Sequence, residues 1–275
     1  MFAFSCHCKG TRLHYYISIF SPQIVCYADV TVREQALELV EKVRRVPAQL
    51  DKWKLLTVQL GSNDVCSYSC GAMKGDTSPR AFKVRQIRAK AGLFLTESFQ
   101  RNMTAMLRVL YSLPRTIVLL LQPLDFSQYA SLPDRGFICD TILTNSCSCL
   151  FNGNIAANTV KMRKLLDSYA NIYHQLAAQF RRQDFAVEVI PALRGLPPRE
   201  RRGYKQVVSK EAFSLDCFHY NGRTQGMMGI NLWNNLIEQP DRRTSVYGRG
   251  LKIKCPIPGQ TISLSATNRN ASTSS

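Results

Sequence analysis

Three short apolar runs set what this chain can build: WKLLTVQL (53–60), TIVLLL (116–121) and FAVEVI (185–190). Their lengths and branched residues suit buried strands, and the first two end at turn formers, Gly61-Ser62-Asn63-Asp64 and Gln122-Pro123. Amphipathic helical stretches separate them. Thr31-Val32-Arg33-Glu34 is a capping-box sequence, after which Val32, Ala36, Leu39, Val40 and Val43 recur at helical spacing until Pro47. A second helix is expected from about Thr96, with Phe99, Met103, Met106, Leu107 and Leu110 on one face, stopping near Pro114. A long helix is expected from about Ile155 to Arg182, with Met162, Leu166, Tyr169, Tyr173, Leu176 and Phe180 among its inward residues. A last one starts near Arg223. Apolar strands alternating with amphipathic helices predict an α/β fold, a mostly parallel sheet covered on both faces. Ligands of such sheets bind at the carboxyl ends of the strands, where Gly61 to Asp64 lie.

The chain has 275 residues, enough for one ordinary α/β domain or two small ones. Lys and Arg number 36 against 19 Asp and Glu, a formal charge of +17, which favours anionic partners such as membrane headgroups, acidic glycans or nucleic acid. A solvated basic face with no dedicated partner accounts for the same balance. The densest basic runs, RAFKVRQIRAK (80–90) and RGLPPRERRGYK (194–205), do not interleave aromatics as a single-strand groove would, so no nucleic acid partner is expected. Ten cysteines form no paired CxxC frame, and Cys6-His7-Cys8 lacks further ligands, so neither metal nor cofactor is expected. Disulfides formed in an oxidising compartment fit better. The sequons Asn102-Met103-Thr104 and Asn270-Ala271-Ser272 agree with such a setting. Residues 1–28 form a poorly defined, weakly signal-like segment, 29–262 the folded domain, and 263–275 a polar, flexible tail. No apolar run approaches the roughly 20 residues needed to span a bilayer.

Two motifs carry chemistry. At the end of the first strand, Gly61 lets a substrate approach the backbone, and the Asn63 carboxamide can donate to a developing oxyanion. Alone this is also an ordinary turn. Downstream, Asp216 and His219 stand three residues apart in DCFHYNGRTQGMMGINLWNNL (216–236), a spacing that lets the carboxylate fix the imidazole while His219 acts as general base. An Asp capping the following turn beside an incidental His is the alternative.

GSNDVCSYSC (61–70), CSCL (147–150) and DCFHYNGRTQGMMGINLWNNLIEQP (216–240) resemble the phospholipase B-like branch of the GDSL (SGNH) lipases and esterases, over about Val30 to Asn268. The resemblance implies a flavodoxin-like three-layer α/β/α fold and hydrolysis of carboxylic esters in phospholipids or lysophospholipids. It also implies Asn63 as oxyanion-hole side chain, His219 as general base, Asp216 as its partner, and an extracellular or membrane-associated setting; an anionic membrane surface is a partner that the basic charge favours. The family's nucleophile lies in a Gly-Asp-Ser motif on its first strand, well upstream of the Asn motif. The residues before Gly61 contain no such motif, and Gly75-Asp76-Thr77-Ser78 follows Asn63 in a polar stretch. Neither Ser78 nor Ser62 is expected to be a nucleophile. The expectation is a chain lacking the family's first strand or strands, essentially inactive by itself, with WKLLTVQL and TIVLLL left as apolar edges that fold poorly. The alternative is a catalytically silent relative that binds lipid or a partner.

Overall fold

A computed structural model describes residues 32–62, 65–66, 96–194, 199–202, 205–245, 251–256 and 262–265. Helix α1 (Val32–Arg44) and the single turn α2 (Pro47–Leu50) lead into strand β1 (Lys54–Val58). Helix α3 (Thr96–Leu110) follows, then β2 (Thr116–Leu121), a 3₁₀ turn at Phe126–Ser131, α4 (Gly136–Ser146) and the short α5 (Ser148–Phe151). Helix α6 (Ile155–Gln179), β3 (Phe185–Ile190), a hairpin of β4 (Arg199–Arg202) and β5 (Lys205–Val208), and α7 (Gly222–Ile237) complete the order.

The three apolar runs are the strands β1, β2 and β3, all parallel in that spatial order. Lys54 pairs with Thr116 and Thr116 with Phe185. TIVLLL is therefore the central strand, paired on both sides, and not an edge. The Lys54 amide donates to the Arg115 carbonyl at 2.7 Å. Lys54, Leu56 and Val58 thus turn their backbone groups to β2, while Leu55 and Thr57 turn theirs to the opposite edge.

The alternation of a strand gives the sheet two apolar faces. Leu56, Val58, Val118, Leu120, Val187 and Val189 pack with Val40 of α1, Met103 and Leu107 of α3, and Tyr169, Tyr173 and Leu176 of α6 in one cluster. Leu119, Leu121 and Ile190 pack on the other face with Leu232 and Leu236 of α7. Helices cover both faces, so the fold is the three-layer α/β/α arrangement that the sequence implied.

Glu188 interrupts β3 on the α7 face with only 1% of its side chain exposed, and Arg243, 5% exposed, meets it at 2.7 Å. Arg243 also donates to the carbonyls of Asn235 and Ser263, and the Ser265 amide and hydroxyl donate to the other Glu188 oxygen. Ser263 and Ser265 are thus hydrogen-bonded to this pair.

Cys66 is bonded to Cys147 and Cys139 to Cys217, across 81 and 78 residues, and Cys149 and Cys255 are disulfide-bonded as well. The sequon at Asn102 lies inside α3. Its Met103 is fully buried and its Thr104 hydroxyl is bonded back to the Gln100 carbonyl, an unsuitable setting for a glycan acceptor. The second sequon, the basic run 80–90 and Cys6-His7-Cys8 lie outside the described residues.

Arg243→Met strands the Glu188 carboxylate, so a loss of about 3–5 kcal/mol is expected by urea unfolding. Glu188→Leu combined with Arg243→Met is expected to recover much of it. A single variant as stable as the parent would show that the pair carries no structural weight.

Candidate active site

The loop ahead of α7 is closed by short-range bonds. Phe213 and Tyr220 form an isolated antiparallel bridge, and the Ser214 amide donates to the His219 carbonyl at 2.8 Å. Asn221 caps α7 by accepting from the Thr224 amide, while its own amide group donates to the carbonyls of Glu211 and Phe213. Phe218 points inward. Its ring stacks on Phe126 at 5.6 Å, and the Tyr129 hydroxyl donates to its carbonyl at 3.1 Å. Cys217 sits at φ +57°, a conformation a non-glycine residue adopts at a cost, and its disulfide fastens the loop to α4.

Within this frame the spacing read from the sequence becomes a contact. Asp216 Oδ2 lies 2.6 Å from His219 Nδ1, and Asp216 Oδ1 accepts from the amides of Phe218 and His219 at 3.1 and 3.0 Å. The aspartate thus caps its own turn and orients the imidazole; the two readings hold together. Burial opposes charge on Asp216, but the bonds from the His219 ring and the two amides outweigh it and hold the carboxyl below its usual range. His219 is 74% exposed, and its Nε2 has no hydrogen-bond partner among the described residues. A ring fixed at Nδ1 and open at Nε2 is the arrangement a general base requires.

The first strand ends as expected but for a different reason. Gly61 has φ +93°, and a Cβ there would lie 3.0 Å from the Tyr169 ring and 3.2 Å from Phe99. Those two rings stack at 4.0 Å, so glycine lets the turn close over an aromatic pair. The Tyr173 hydroxyl donates to the neighbouring Leu60 carbonyl at 3.2 Å. The Ser62 hydroxyl is buried without a hydrogen-bond partner among the described residues, so it is not bonded to His219. Asn63, Asp64 and Ser78 lie outside the described residues. Sequence reasoning missed Phe218 and the Cys139–Cys217 bond, which hold the dyad in place; the cysteine beside Asp216 was the available clue.

A parallel α/β/α sandwich carrying an Asp-x-x-His pair ahead of α7 has the layout of the SGNH fold class. The chain belongs to the GDSL-like lipase/acylhydrolase family, whose sequence model matches residues 10–232. It is 29% identical over 238 residues to rat phospholipase B1, membrane-associated, and 28% and 29% identical to the mouse and human proteins of that name. Each match covers 82% of this chain but only 15% of the rat protein and 14% of the other two. No helix among the described residues is long and apolar enough to cross a membrane.

Two measurements test this geometry. Asp216 is expected to titrate below the ordinary carboxylate value of about 3.9 in carbon-detected NMR, and His219→Ala to raise its pKa. The sign follows from linkage: a lowered folded pKa stabilises above the unfolded value, and that contribution is lost as pH falls through the folded one. An unmoved Asp216 titration in His219→Ala would contradict the bond. Gly61→Ala, strained at positive φ and pressed on Tyr169, is expected to cost about 1–3 kcal/mol in thermal or urea unfolding.

Proposed function

We propose that this chain carries the acid–base half of a phospholipase B-type site acting on the carboxylic esters of phospholipids or lysophospholipids. The Asp216–His219 contact at 2.6 Å with an open Nε2 carries the proposal. A nucleophilic hydroxyl attacks the ester carbonyl while His219 Nε2 takes its proton, later returning it to the departing alkoxide; Asp216 stabilises the imidazolium between those steps. Asn63, following the Gly61 turn, donates its carboxamide to the oxyanion. The family's usual nucleophile serine has no counterpart ahead of Gly61. The second reading is a catalytically silent relative that binds lipid or a partner. The disulfides Cys66–Cys147 and Cys139–Cys217 support an extracellular setting, and the membrane-associated relatives support a membrane surface.

The purified chain is expected to turn over a p-nitrophenyl ester at about 10⁻⁴ or less of a full-triad rate. Joining a Gly-Asp-Ser strand from an active family member ahead of Val32 is expected to raise that rate at least about 10³-fold, with His219→Ala abolishing the gain. A folded chimera with no gain would favour the silent relative. Robust turnover by the unaltered chain, lost in His219→Ala, would show that it holds a nucleophile of its own.

A further inference from the structure

Among the described residues most large apolar side chains are buried, but Phe137, Ile138 and Leu215 are 86%, 69% and 99% exposed. Single exposed apolar residues are ordinary; a gathered set next to a site is not. These three are gathered by covalent structure. Cys139 and Cys217 are bonded with their Cα atoms 5.4 Å apart, Ile138 adjoins Cys139, and Phe137 and Leu215 each stand two residues from one of these cysteines. Two residues of chain span about 7 Å at most, so the backbones of all three lie within about 20 Å of one another around the cross-link.

Asp216 lies between Leu215 and Cys217, and His219 follows two residues later, so the rim borders the dyad. Packing does not explain it. On the same helix Leu143 is fully buried, and on the same loop Phe218 fills the aromatic pocket against Phe126. Arg135, just before Phe137, is bonded to Asp140 at 2.9 Å and lies over the Phe151 ring, 4.9 Å from its centroid, while Phe137 remains in water.

Resting on the phospholipid-ester reading of the dyad, we propose that Phe137, Ile138 and Leu215 form a docking surface that seats this site on a phospholipid bilayer. Their side chains enter the boundary between headgroups and acyl chains, where amphipathic protein surfaces gain apolar burial. The formal charge of +17 is complementary to anionic headgroups and steers the approach, while the rim supplies the seat. Seated there, His219 meets ester groups at the membrane surface.

The test is vesicle sedimentation of the full chain with ether-linked phosphatidylcholine and phosphatidylglycerol, which offer no carboxylic ester. Binding is then independent of cleavage, and failure of the docking surface is distinct from failure of the hydrolase reading. Phe137→Ser, Ile138→Ser and Leu215→Ser together are expected to weaken partition by about tenfold or more. Trp53→Ser, at the 60% exposed residue before β1, is expected to leave it unchanged. Leu215→Trp, at a residue with no packing to lose, is expected to show blue-shifted difference fluorescence, quenched by brominated chains. A parent chain that does not partition would overturn the proposal, as would a folded triple variant that partitions like the parent, or an added Trp that stays in water.

Discussion

One carboxylate inside the sheet governs how the last quarter of this chain is held. Glu188 belongs to a strand that is otherwise apolar and buried, and a lone charge there would cost several kcal/mol. Arg243 removes that cost by reaching the carboxylate from beyond α7, and the same guanidinium ties down the carbonyls of Asn235 and Ser263. Asn235 returns the favour: its side chain bonds both the amide and the carbonyl of Thr244. The carboxyl end of α7 is thereby fixed to the sheet. Its amino end begins at Asn221, two residues after His219, so a rigid helix carries the position of the sheet to the dyad.

The elements legible in the sequence were those whose apolar pattern faces the core. Each of the three runs became a strand, and the face of Phe99, Met103, Met106, Leu107 and Leu110 is the buried face of α3. The long helix stops at Gln179 and not at Arg182, because Arg182 turns away to bond the carbonyls of Tyr111 and Leu113 and to cover the Tyr111 ring. Helix α4 was invisible for the opposite reason. Its Phe137 and Ile138 face water, so no apolar stripe points inward to betray it. The β4–β5 hairpin hid behind its charges, Arg199 to Arg202, which lack the alternation of a half-buried strand. Glu188 gave no warning either, since its partner lies 55 residues away and no local spacing connects them.

The dyad was legible because its two members are three residues apart, and a short loop leaves such a pair few ways to miss each other. What holds that loop was not legible, since its anchors come from distant segments. Phe126 and Tyr129 reach Phe218 across about ninety residues of chain, and Cys139 reaches Cys217 across 78. The magnitudes rank these anchors. A cross-link closing a loop of that length is worth about 4 kcal/mol in the chain-entropy account, against about 1 kcal/mol for a hydrogen bond such as Tyr129 to Phe218. The hydrogen bond and ring stacking set where Phe218 sits, and so the direction in which His219 leaves the loop. The disulfide supplies the larger share of the free energy that keeps the loop closed. An imidazole on a loop, outside any strand or helix, is kept in position by a covalent tie on one side and an aromatic plug on the other. The Nε2 edge between them stays open to solvent.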